Sequence, residues 1–274
     1  SVLEDVTMNA HMIERQFAKI GARASVRNDA RRNADTGVRI DIGHDLEGEF
    51  FDIAVPRGST SGLVVVDTQP RLRHLLLLSR QDDDKHKFLC GHDERHWFVA
   101  AVPERLPVST VRTAFEALKP DSVRYMQDQV LRVKPRKRNR RRNDAFIRQG
   151  EWFFVPAPIW FRANEKLMLR NEPIRRGTGK PHICEELIRE GGELVYVSTQ
   201  HPEGLTAPQY RRLISRQPKL RNLQWVTQRR NPQVFVRGRI RHPDHKTIVL
   251  SDWHQVLMNT ETQSVAMRHV AFID

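Results

Sequence analysis

Residues 233–242 read QVFVRGRIRH, and the way their side chains divide governs both the fold class and the kind of partner to expect. Side chains of an extended strand alternate between faces, so Val234, Val236 and Ile240 fall on one side, and Phe235, Arg237, Arg239 and Arg241 on the other. The first face is core material. The second is an arginine ladder with steps of about 7 Å, whose charges repel one another unless something anionic lies across them. An external polyanion would do this, and so would carboxylates on a neighbouring strand.

The flanking sequence favours the external partner. No acidic residue stands between Glu203 and Asp244, whereas Arg211, Arg212, Arg216, Lys219, Arg221, Arg229, Arg230, Arg237, Arg239 and Arg241 all carry positive charge. Ion pairing within this segment is therefore impossible. Tyr210, Trp225 and Phe235 are interleaved with the cations, and cations that neutralise phosphates beside rings that stack on bases are what a nucleic-acid strand requires. The expectation is a nucleic-acid-binding protein, with RNA or a single strand ahead of duplex DNA, working alone or in a ribonucleoprotein. An adaptor for an acidic protein is the alternative from another class.

Charge is distributed unevenly along the 274 residues, whose formal net charge is +13. Residues 1–133 hold 19 Lys and Arg against 20 Asp and Glu, residues 134–148 hold 8 against 1, and residues 149–274 hold 19 against 12. The division expected is a neutral lobe over 1–133, a basic linker or arm over 134–148 and a basic lobe over 149–274. The arm contains KPRKRNRRR, in which Arg136, Lys137, Arg138, Arg140, Arg141 and Arg142 cannot all bury themselves. It reads as a nucleic-acid-gripping arm, an import-like signal in a eukaryotic setting, or a solvated tether.

Both lobes read as α+β with mainly antiparallel sheets. Met12, Ile13, Phe17 and Ile20 recur at helical spacing, and Gly21 gives the helix a stop. From Val38 the period changes to two, and VRIDIG, FFDIAV, LVVVDTQ, RHLLLLSRQ, HKFLCG and HWFVAAV read as successive strands joined by short turns. Ser109 and Asp121 are placed to cap two helices. In the second lobe WFFV, EKLMLRNEP, ELVYVS, LQWVTQ, TIVLSDWHQVLMN and SVAMRHVAFID read as strands, and Thr206 caps a helix through YRRLISRQ. Two cysteines are too few for a disulfide framework, and no run of apolar residues suits a secretory signal or a bilayer span. These features suggest a cytoplasmic protein, or a nuclear one in a eukaryote, without a membrane partner.

Three further clusters carry possible chemistry. The loop RRGTGKPH could cradle a phosphate with Arg175, Arg176 and Lys180, although its spacing is not that of a nucleoside-triphosphatase. Cys90, His92 and His96 in CGHDERHW make a conceivable metal site, against the simpler reading of a polar hairpin tip with a small buried cysteine. His242, Asp244 and His245 in RHPDHK are followed by Asn259 and His269. The order Asp244, His245, Asn259, His269 resembles that of HNH-type nucleases, which implies a divalent metal and His245 as the base that activates water, with the others in support. That family places its motif on two strands and a helix, whereas both segments here read as strands.

Overall fold

Four consecutive leucines, Leu75 to Leu78, are all buried, and alternation shares them between two cores. The computed structural model describes residues 2–29, 37–56, 62–81, 84–176 and 179–270, without the side chains of residues 2–8 and His269. Asp82 and Asp83 of the charged turn and Gly177 and Thr178 of the glycine loop lie outside the described residues.

The first lobe packs helix α1 (Val2–Lys19) and two sheets around one core. One sheet has the order β1 (Ala24–Asp29), β3 (Gly48–Pro56), β2 (Arg39–Asp45), with β1 parallel to β3. The other is an antiparallel meander of β4 (Leu63–Gln69), β5 (His74–Gln81), β6 (Asp84–Asp93) and β7 (His96–Val102). Phe17, Phe51, Leu75, Leu77, Phe88 and Cys90 meet in this core. On the opposite face of the meander, Leu76 and Leu89 pack under α2 (Val111–Leu118). Thr110 caps α2 one residue after the expected Ser109, because its hydroxyl accepts the Thr113 N–H and completes a reciprocal capping box. Asp121 opens α3 (Asp121–Tyr125) without capping it, its carboxylate being taken by Arg105 and Arg124.

The basic stretch that follows is docked onto the first lobe. Its first turn is α4 (Pro135–Arg138), and Arg138 reaches back to Glu116 at 2.9 Å and to Asp128. Beneath lies Lys119, 2% exposed, whose ammonium donates to Glu116 and Gln127 at 2.8 Å each, while burial draws its pKa down to about 8.

The second lobe is an antiparallel sheet of six strands, ordered β10 (Leu169–Ile174), β11 (His182–Glu190), β15 (Gln233–His242), β16 (His245–Met258), β9 (Trp152–Pro156), β8 (Ile147–Gln149). The segment with which the sequence was opened is therefore a central strand. Between β11 and β15 the chain builds a small sheet, β13 (His201–Thr206), β12 (Glu193–Ser198), β14 (Val226–Arg230), together with helix α5 (Ala207–Arg216). Thr206 and Gln209 form the capping box of α5.

After β16 the chain returns to the first lobe. Thr260 bonds Leu118 and Ala117, Ser264 bonds Val102, and Ala266 and Val270 enter the first core. The expected strand over SVAMRHVAFID is a 3₁₀ turn over Val265–His269, because Ala266 and Val270 face the core four residues apart.

His74 gives this fold an acid-sensitive point. Its Nδ1–H donates to the Leu72 carbonyl at 2.5 Å, its Nε2 has no partner among the described residues, and Phe98 and Phe115 pack against the ring. Its cross-strand partner is Gly91, where a Cβ would come within 2.1 Å of the imidazole. Burial lowers the His74 pKa from 6.5 to about 4. The unfolded chain therefore binds more protons between those values, so the contribution is complete above about pH 6.5 and is lost as pH falls toward 4, amounting to about 3 kcal/mol. Urea unfolding across this range should show the wild type losing about 3 kcal/mol more than His74→Leu; equal pH dependence would contradict it.

Candidate functional site

The lobes meet at the turn between β6 and β7. Asp93, almost wholly buried, pairs with Arg141 and, at 3.1 Å, with Arg148. Its neighbour Glu94 sits at φ 51°, a left-handed conformation that costs a residue with a Cβ roughly 1–2 kcal/mol. That backbone aims the carboxylate across the lobe boundary, where Oε2 accepts from His245 Nδ1–H at 3.1 Å and from the Lys246 N–H at 3.0 Å, while Oε1 meets Arg141 at 3.2 Å. Beside the turn lies a cavity of about 360 Å³, lined from the first lobe by His44, Glu49, Asp93 and His96 and from the second by Arg148, Lys180, His242, Asp244, His245 and Asn259.

At one end of this cavity His242 and His245, which line it, meet the buried His182. His182 begins β11, His242 ends β15 and His245 begins β16, so the pairing of β11 with β15 and the tight β15–β16 turn bring His182 to residues 60 and 63 positions away. Ring centroids are 4.3 Å apart for His182 and His242, 4.7 Å for His242 and His245, and 5.6 Å for His182 and His245. His182 is 2% exposed, and neither ring nitrogen has a hydrogen-bond partner among the described residues. Burial, reinforced by the two adjacent imidazoles, lowers its pKa to about 3 and keeps it neutral. His242 Nδ1 accepts the Asp244 N–H at 3.1 Å, and its Nε2 lies 3.3 Å from the Lys180 carbonyl.

Two of the three ladder arginines find carboxylates within their own sheet, and the third meets a neutral amide. Arg237 binds Glu186 at 2.6 Å, Arg239 binds Glu185 at 3.2 Å and Arg241 donates to Asn171 at 2.6 Å, with Glu185 and Glu186 on the adjacent β11. The neighbouring-strand partner, set aside on local charge counting, is the one present. Phe235 is 0% exposed and stacks on Phe161 at 3.8 Å, so it offers no face to a base. Within the basic arm, Arg138 and Arg141 are committed to carboxylates, whereas Arg136, Lys137, Arg140 and Arg142 have none among the described residues. In the glycine loop Lys180 pairs with Asp244 at 2.8 Å and Arg176 with Glu261, while Arg175 is exposed. Arg230 pairs with Glu193 at 2.6 Å.

The small α5 module is different. Arg211, Arg212 and Arg216 of α5, Lys219 and Arg221 of the following turn, and Arg229 of β14 are exposed and have no carboxylate partner among the described residues. Aromatic rings pin this module together: Tyr210 stacks on Tyr196 at 4.4 Å, Trp225 on His201 at 5.5 Å, and Tyr210 meets Trp225 edge-on at 5.0 Å. Tyr210 and Trp225 remain half-buried.

Two other expected groupings are rearranged. Cys90 is fully buried in the first core with its thiol pKa pushed up, His92 packs against Trp97, and His96 donates to Glu49 at 2.6 Å, so these three do not assemble a metal site. Asp244, His245 and Asn259 do line one cavity, but β16 is a continuous strand and the segment bearing His269 is a 3₁₀ turn, so the helix of the HNH arrangement is missing. The His269 side chain lies outside the described residues. His182 escaped sequence reading, because nothing in KPHIC marks it and only sheet pairing brings it to the others. No family model, curated protein or solved structure matches this chain.

Asp93 is the carboxylate that two inter-lobe arginines share, and its side chain is only 10% exposed. Asp93→Ala leaves Arg148 without its anion in a poorly solvated place and should lower stability by about 3 kcal/mol in urea unfolding. A loss under about 0.5 kcal/mol, the level of an ordinary surface substitution, would show that the turn does not couple the lobes.

Proposed function

We propose that this chain binds nucleic acid through the α5 module, assisted by the free cations of the basic arm, with RNA or a single strand as the preferred form. The observation that carries this reading is the set of six exposed cations from Arg211 to Arg229 with no carboxylate among the described residues to neutralise them, beside a ladder in which Arg237 and Arg239 are paired with carboxylates. Guanidinium groups left exposed and unmatched on a rigid helix can exchange water and counterions for phosphate at little cost in internal pairing. Tyr210 and Trp225 are only half-buried, and a single strand has exposed bases that can reach the ring surface that Tyr196 and His201 do not cover. Arg136, Lys137, Arg140 and Arg142 extend the cationic surface.

If the six cations each neutralise a phosphate, log affinity should fall with log salt at a slope of about −4 to −5. Fluorescence anisotropy with a labelled single-stranded RNA measures this directly. Arg211→Gln, Arg212→Gln and Arg216→Gln combined should reduce the slope by about 2 to 3 and weaken binding at low salt by at least tenfold. The matching triple replacement at Arg237, Arg239 and Arg241 should change the slope by less than about 1, because those groups answer to Glu185, Glu186 and Asn171. A slope near zero in the wild type, or a larger effect from the ladder than from α5, would overturn the reading.

A further inference from the structure

We propose that His182, His242 and His245 form a zinc-class metal site opening onto the inter-lobe cavity. One ring nitrogen of each lies within 4.8 Å of those of the other two. A tetrahedral ion held at about 2.1 Å by each nitrogen would separate them by about 3.4 Å. The rings lie within 35° of parallel, so binding requires them to turn about their side-chain bonds until the three nitrogens converge. His182 is the strongest sign. A buried imidazole has one donor and one acceptor, and both nitrogens of this ring lack a hydrogen-bond partner among the described residues.

The other two rings are oriented as metal ligands commonly are, with the nitrogen remote from the ion held by a carboxylate or a backbone carbonyl. His245 Nδ1–H donates to Glu94, which leaves Nε2 to ligate. His242 Nε2–H points to the Lys180 carbonyl, and its Nδ1 becomes a ligand by giving up the Asp244 N–H. Lys180 neutralises the Asp244 carboxylate, so the donor set is three neutral imidazoles. Such nitrogen-only donors suit zinc and its transition-metal neighbours, whereas magnesium and calcium demand oxygen. The fourth position would face the cavity and take water or an anionic ligand.

The probe is the metal alone, so the outcome is independent of nucleic-acid binding. Chelator-treated protein should take up one equivalent of cobalt(II), with the visible spectrum of tetrahedral nitrogen ligation, and zinc should displace it. His182→Gln and His242→Gln should each reduce zinc affinity at least tenfold, and Glu94→Ala about tenfold through loss of the orienting bond. Circular dichroism checks the fold of each variant. Should His182→Gln not fold, X-ray absorption at the zinc edge of the wild type decides: three imidazole ligands sustain the site, and fewer than three overturn it. Absence of stoichiometric binding, or folded variants with unchanged affinity, also overturns it.

Discussion

The carboxylates of Asp93 and Glu94 hold the two lobes against each other. Two acidic side chains in one tight turn take Arg141 and Arg148 from the stretch that joins the lobes, and His245 and the Lys246 N–H from the far sheet. Because charge-assisted bonds in a poorly solvated place are strong only when every group is matched, the turn fixes the relative position of β6, β8 and β16. The cavity, and the orientation of the His245 ring beside it, follow from that constraint. The left-handed backbone at Glu94 marks where local strain is accepted to place one carboxylate.

Charge along the chain and charge in the fold are different quantities here. The segment from 204 to 243 contains no anion, yet β15 lies beside β11, and β11 brings Glu185 and Glu186 to the ladder. A window over sequence cannot see a neighbour more than 50 positions away. The same effect docks the basic arm, where Glu116 and Asp128 claim Arg138. Cations that remain unmatched, on α5 and along the arm, are the ones for which sheet pairing brought no carboxylate.

Much of the architecture was legible, for identifiable reasons. The period-two runs from Val38 to Val102 map onto β2 to β7, because each strand has at least one face in a core and burial enforces alternation. Helix α1 and the cap of α5 were equally plain, the first from its apolar spacing and the second from Thr206. Strand β1 was missed, since Ala24–Asp29 reads ASVRND, with little apolar content, and is held by parallel pairing to β3 that local pattern does not encode. The site was half legible: His242, Asp244 and His245 share one turn, while His182 arrives only through strand pairing.

The return of residues 259–270 to the first lobe ties its core to sequence beyond the second sheet. Ala266 and Val270 complete a core begun by Phe17 and Phe51, and Val270 bridges to Ile40. The core around Phe17 and Phe51 therefore stays incomplete until residues that follow the whole second sheet in sequence are in place. The lobe that comes first in sequence is thus sealed by the segment that comes last.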